Sequence, residues 1–186
     1  DFSISRNLFR TLNASDSKTL VLRAPSGEAW SVESAPEWVS VEPSSGTGKV
    51  EVTVTVDELA KGSGYREGEV VFLLEGKDYR TRTKVEQYDY QYGDGDVLTH
   101  QTASVGAGVD IVFMGDCFDA KDIAEGNYLN AMNEAIEHYF AIEPYKTYRD
   151  YFNVYTVFGL SPDSGVGDVN TIRESKFGSA YPLGKI

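Results

Sequence analysis

The sequence predicts a multidomain protein: an all-β immunoglobulin-like sandwich over residues 1–88, a linker or extended connection over 89–108, and a partial α/β segment of strand-helix-strand type over 109–186. Three observations carry this. Val50-Glu51-Val52-Thr53-Val54-Thr55-Val56 alternates strictly, placing four valines on one face, which is the period of a half-buried strand. Turn-forming clusters at Pro25-Ser26-Gly27, Pro43-Ser44-Ser45-Gly46 and Lys61-Gly62-Ser63-Gly64 cut the first part into short strands, the pattern of an antiparallel sandwich of roughly seven strands. In the second part, two almost continuous apolar runs, 109–115 and 152–158, flank Leu129, Met132, Ile136 and Phe140 at helical spacing.

Taken in chain order, further strands are expected over 19–23, 29–33, 38–41 and 69–74. Tyr79-Arg80-Thr81-Arg82-Thr83-Lys84-Val85 also alternates, and its three bases mark either a solvated outer face or a charged sheet edge. Residues 88–108 are glycine-rich and poor in apolar side chains, although Tyr88, Tyr90 and Tyr92 alternate as a short strand would. Gly93-Asp94-Gly95-Asp96 lacks the spacing and bidentate glutamate of a calcium loop. The runs 109–115 and 152–158 read as strands buried on both faces. Between them come a helix and a second short helix from Pro144 to about residue 150, a connection that favours a parallel pair with a right-handed crossover.

Parallel strands deliver the loops that follow them to one sheet edge, so 115–119 and 161–165 are expected to meet where ligands of open α/β sheets bind. Asp116, Asp119, Asp163 and Asp168 are the candidates there to share a cation or face a substrate. The competing reading makes Asp119, with Asp122, a helix N-cap and 163–165 an ordinary turn.

Composition narrows the partners. The formal net charge is -12, and the second part carries most of it: residues 89–186 hold 15 acids against 6 bases, residues 1–88 hold 14 against 11. Such surfaces repel nucleic-acid backbones and anionic membranes. No apolar run is long enough for a transmembrane segment, and residues 1–6 have no signal-peptide core, as expected of a cytosolic or already trimmed chain. The single cysteine, Cys117, allows no internal disulfide and no cysteine-based zinc cluster.

Trp30-Ser31-Val32, Pro36-Glu37-Trp38-Val39-Ser40-Val41, Pro43-Ser44-Ser45-Gly46 and Tyr65-Arg66-Glu67-Gly68, closing on Val85-Glu86-Gln87, resemble a BACON domain, a Bacteroidetes sandwich module. The resemblance implies either carbohydrate or mucin-glycan binding or a spacer role. Tyr65, Trp30 and Trp38 are the candidate carbohydrate-binding residues, since aromatic faces suit the apolar faces of sugar rings. A strand tryptophan in a sandwich this small favours the core instead.

Ile111-Val112-Phe113-Met114-Gly115-Asp116, Phe140-Ala141-Ile142-Glu143-Pro144-Tyr145, Tyr148-Arg149-Asp150-Tyr151-Phe152-Asn153-Val154-Tyr155, Ser161-Pro162-Asp163-Ser164-Gly165 and Lys176-Phe177-Gly178-Ser179 resemble, in that order, the front of an IgA-peptidase-family domain. Cys117 stands where the resemblance leads one to expect glycine. The family implies zinc held by an H-E-x-x-H helix, a protein substrate, and a secreted or cell-surface location, including that of an outer-membrane lipoprotein. No such motif occurs: the histidines are His100 and His138, and His138 shares the polar side of its helix with Glu134. No G-x-S-x-G elbow occurs either, and Cys117 has no histidine adjacent in sequence. No catalytic or cofactor-binding residue is therefore assigned within the chain, which is expected to be inactive alone, with zinc belonging to a longer parent enzyme. The alternative is a non-catalytic adhesion or carbohydrate- or protein-binding protein. Residues 181–186 carry no terminal signal, which favours a chain that continues.

Overall fold

The computed structural model describes residues 1–168 and 170–180; residues 181–186, on which the expectation of a continuing chain rests, lie outside the described residues. The chain divides into two compact units, Asp1–Asp89 and Tyr90–Ile186.

The first unit runs β1 (Ser3–Ile4), β2 (Leu8–Leu12), β3 (Asp16–Arg23), β4 (Ala29–Ser34), β5 (Val39–Glu42), β6 (Ser45–Thr47), β7 (Val50–Val56), β8 (Tyr65–Leu74) and β9 (Tyr79–Tyr88). Two sheets, ordered β1-β3-β7-β5 and β2-β9-β8-β4-β6, form the sandwich. The inward valines of β7 (Val52, Val54, Val56) meet Leu20 and Leu22 from the same sheet and Phe9, Trp30, Val70, Phe72 and Val85 from the other. Burying each such side chain contributes about 1.5–3 kcal/mol.

The sandwich departs from the expectation in strand number, nine against roughly seven, and in strand direction. It is not wholly antiparallel, because β2 pairs parallel with β9, from Leu8↔Lys84 to Leu12↔Tyr88. That partner lies more than seventy positions away, so no local turn signal could announce it. The pairing settles what the bases of β9 do. With β2 on one side and β8 on the other, β9 is an internal strand, and Arg80, Arg82 and Lys84 point outward into ion pairs with Glu33, Glu69 and Glu67.

The second unit runs β10 (Val97–Gln101), β11 (Val109–Phe113), α1 (Ala120–Ala124), α2 (Asn127–Phe140), a 3-10 turn (Arg149–Tyr151) and β12 (Phe152–Val157). The sheet order is β10-β12-β11. β11 and β12 pair parallel from Val109↔Phe152 to Phe113↔Thr156, as the helical crossover requires. Ile136 and Phe140 of α2 pack on Val154, with Ile111, Phe113 and Phe152 around them.

Three features differ from the expected unit. The stretch read as a connection contributes β10, antiparallel to β12. β11 is not buried on both faces: it is an edge strand, and Val109 and Val112 are 59% and 50% exposed. The short helix expected from Pro144 is a series of turns ending in the 3-10 turn. Glu143 accounts for this, because its carboxylate accepts both the Thr147 N–H (3.3 Å) and hydroxyl (2.7 Å), competing with the backbone acceptor a helix would use.

Candidate functional site

Two places gather the residues singled out by sequence, one in each unit. In the second, the loops after β11 and β12 do converge. Asp116 Oδ1 accepts from Cys117 N–H (2.8 Å) and Ser161 Oγ–H (2.9 Å), and Oδ2 accepts from Ser179 N–H (3.1 Å). Ser161 Oγ also accepts from the N–H groups of Cys117 (3.0 Å) and Lys176 (3.1 Å). Burial acts to raise the Asp116 pKa, yet hydrogen bonds from Ser179, Cys117 and Ser161 outweigh it and hold the carboxyl well below its ordinary range. The carboxylate is thus a tie-point that holds Ser161, Phe177 and Ser179 at the sheet edge.

The expected sharing of a cation by four aspartates is not what the structure builds. Asp119 Oδ1 caps α1 by accepting from Lys121 N–H (2.9 Å) and Asp122 N–H (3.1 Å), in a reciprocal capping box with Asp122. Asp163 accepts from Glu174 N–H at 2.8 Å, and Asp168 from the N–H groups of Asn170 and Thr171, both at 2.8 Å. Each carboxylate is turned toward backbone donors, and among the described residues no three His, Cys, Asp or Glu side chains form a group able to hold a metal ion.

Cys117 is buried and adopts φ 67°, the left-handed region where glycine bears no steric penalty. The glycine expected at this position is therefore a conformational requirement that cysteine meets under strain. Cys117→Gly and Cys117→Ala remove the same thiol and differ in that strain. The glycine variant is expected to unfold at higher denaturant, by about 1 kcal/mol relative to alanine; equal midpoints would contradict it.

In the sandwich, Trp30 is 1% exposed and lies edge-on to Phe72 at 6.1 Å, so it is a core residue and offers no face to a sugar. Trp38 is half-buried, and the Arg66 guanidinium covers its ring at 4.3 Å. Tyr65 remains: it is 47% exposed and opens β8. Directly opposite on β9 is Tyr88, with ring centroids 4.9 Å apart. Sequence reasoning missed Tyr88 as a partner, although the alternation of β8 and β9 would pair the two once the register is known.

Charged groups surround the rings. Tyr65 donates to Glu67 (2.5 Å) and Tyr88 to Glu86 (3.0 Å), while Lys84 bridges Glu67 and Glu86 at 2.5 and 2.8 Å and Arg10 reaches Glu86 at 2.7 Å. Burial, then the bond to Glu67, pushes the Tyr65 phenol up to about 12, so it stays a donor. Burial alone would raise Glu86; its bonds from Lys84, Arg10 and Tyr88 prevail and lower it from 4.5 to about 2. Because the folded value lies below the unfolded one, this stabilisation is present above about pH 4.5 and is lost as pH falls toward 2. Thermal melts across that window should show a smaller loss of stability in Glu86→Gln than in the parent chain; parallel curves would contradict the assignment.

The outer sheet face therefore presents two tyrosines beside donors and acceptors, and the sheet edge beyond β11 and β12 presents an organised turn. Comparison with known proteins names both regions. Residues 28–87 match the BACON family, described as an N-terminal binding domain, and residues 98–186 match IgA Peptidase M64. The chain is a BACON-like module followed by an IgA-peptidase-like segment.

No curated protein matches the chain. Among solved structures, a Bacteroides ovatus GH5 xyloglucanase in complex with a XXXG heptasaccharide is 19% identical over 48% of this chain and 19% of its own, with a TM-score of 0.42. A Porphyromonas gingivalis W83 protein of unknown function is 12% identical over 60% and 57%, at 0.39. The Vibrio cholerae VesB protease is 14% identical over 47% and 31%, at 0.33. The chain spans less than two thirds of each of these proteins.

The Asp116–Ser161 convergence falls within the IgA-peptidase-like segment, and the Tyr65–Tyr88 pair belongs to strands of the BACON-like module, with Tyr88 one residue past its matched end. No helix of the described residues is long and apolar enough to cross a membrane.

Proposed function

We propose that this chain is the N-terminal portion of a zinc metallopeptidase of IgA-peptidase type that acts outside the cell or at its surface. In this reading the BACON-like module binds carbohydrate, mucin glycans included, and brings the peptidase to its protein substrate. The observation that carries it is the peptidase match over residues 98–186 in a sequence whose two histidines do not form a zinc motif. His100 is hydrogen-bonded to Thr156 at 2.8 Å, and His138 is exposed on α2. Among the described residues the histidines and carboxylates do not fit a zinc ion. The part of this chain is to form the sheet edge on which the remaining site is built.

Hydrolysis of a protein substrate by the native gene product, abolished by a zinc chelator, together with inactivity of the 186-residue chain, is the expected result; chelator-resistant hydrolysis would overturn it. For the sandwich, the supporting observation is the Tyr65–Tyr88 pair with its adjoining carboxylates and cations. Glycan-array binding by the chain, reduced at least about tenfold in Tyr65→Ala, is expected, a loss on the scale of the about 1–3 kcal/mol that one aromatic contributes when a nucleic-acid base stacks on it. Binding absent from the parent chain would leave the module a spacer.

A further inference from the structure

A second concavity, of about 230 Å³, lies in the peptidase-like unit between α2, β10 and the 3-10 turn, away from the Asp116 edge. His100, Asn133, Glu137 and Arg149 line it, over a floor of Ile136 and Val154. The β10 ladder is broken between Thr99 and Gln101, and the bulge takes His100 out of strand register. Bulges of this kind re-aim a side chain.

The tautomer of His100 follows from its partner. Thr156 is fully buried, and among the described residues its hydroxyl has one partner, His100 Nε2 at 2.8 Å. A buried hydroxyl hydrogen requires an acceptor, so Nε2 accepts and the ring proton is assigned to Nδ1. Nδ1–H has no hydrogen-bond partner among the described residues. Burial lowers the His100 pKa, which favours the neutral ring.

Arg149 is fixed by three of its five N–H groups: Nε donates to Gln101 Oε1 (3.2 Å), and the two terminal nitrogens donate to Glu137 at 3.1 and 2.7 Å. Its guanidinium lies over Phe140 at 4.8 Å. Gln101 in turn donates to the carbonyls of Arg149 (2.8 Å) and Phe152 (3.0 Å), so its amide is oriented with the oxygen toward Arg149. Two guanidinium N–H groups are left over. The cavity therefore offers donors at one end and an aliphatic floor at the other.

We propose that this cavity binds a short-chain carboxylate, its oxygens held by His100 Nδ1–H and Arg149 and its alkyl chain lying on Ile136 and Val154. A free acid of four or so carbons and the C-terminal residue of a peptide share this chemistry. Glu137 keeps Arg149 in place, and one remaining guanidinium N–H meets the ligand.

The test is an NMR titration of the 186-residue chain with sodium butyrate at constant pH and ionic strength, following the His100 ring and Arg149 Nε–H signals. Butyramide and an alanine-terminated peptide, with and without a C-terminal amide, serve as comparators. Saturable shifts with butyrate, at least tenfold weaker with butyramide and lost in Asn133→Trp at the cavity mouth, are expected. A peptide that shifts the signals only when its C-terminus is free identifies the peptide source; butyrate alone identifies the free acid. Absence of saturable shifts with every carboxylate, or equal shifts from butyrate and butyramide, overturns the proposal. Asn133 is exposed on α2, so that variant is expected to retain the parent circular dichroism; the wild-type titration decides the matter should it not.

Discussion

Trp30→Ala is expected to cost the sandwich about 3–5 kcal/mol, the range for removing a large aromatic from a packed interior. Trp30 on β4 is the largest fully buried side chain of the unit; it lies against Phe72 of the same sheet, with Gly46 of β6 close to its ring, and belongs to the core cluster that includes the inward side chains of the other sheet. A Cβ placed on Gly46 would come within 2.8 Å of its ring, so the neighbouring backbone already touches the indole and is poorly placed to fill the void. Trp30 Nε1 is buried without a hydrogen-bond partner, which makes Trp30→Phe the informative control: it loses area and leaves no orphaned acceptor. Chemical denaturation should rank the variants parent, Phe, Ala. A loss under about 1 kcal/mol for alanine would mean that the indole is not a core element.

Tyr128→Phe should destabilise the second unit by about 2–3 kcal/mol although it removes a single oxygen. The Tyr128 hydroxyl, fully buried, accepts from Gly115 N–H (3.0 Å) and donates to the Val157 carbonyl (2.6 Å). Gly115 follows β11 and Val157 ends β12, so one hydroxyl from α2 links the ends of two parallel strands beyond their last paired residues. Deleting it leaves a buried donor and a buried acceptor facing each other too far apart to pair directly. Amide hydrogen exchange at residues 113–116 and 156–159 should accelerate together, since both segments rely on the same atom. Acceleration on one side only would show that the strands are held independently.

What the sequence made legible was pattern that repeats locally. The alternation of β7 exposes its register to inspection, and the two apolar runs and the intervening helix imply a parallel pair. The capping box of Asp119 and Asp122 was likewise readable, because its residues lie three apart. Elements that depend on distant partners were hidden. β2 is a short, unremarkable segment until β9 pairs with it, and β10 lies in a glycine-rich stretch whose strand character comes from β12. The helix face was read through Leu129, whereas the residue wholly buried at that end is Tyr128, a polar-tipped side chain that hydropathy spacing undervalues but two strand ends require.

At the candidate sites, residue type was a better guide than grouping. Four aspartates after two parallel strands suggest a cation, yet each accepts hydrogen bonds from backbone N–H groups of turns and caps. Exposure decided among the aromatics: Trp30 and Trp38 satisfy packing and a guanidinium, while Tyr65 stays on the surface with a cross-strand partner. The glycine expected at residue 117 was the one conservation-like hint that pointed to geometry, since the backbone there is left-handed.

The central claim, that these residues are the front of a zinc metallopeptidase carrying a binding module, is tested most directly by the native gene product itself. Its intact mass, zinc content and tryptic peptides should be measured together. The account predicts a mass well above 20.5 kDa, one zinc per chain, and an H-E-x-x-H peptide absent from residues 1–186. A product of 20.5 kDa with no bound zinc would contradict it and leave an adhesion protein in its place.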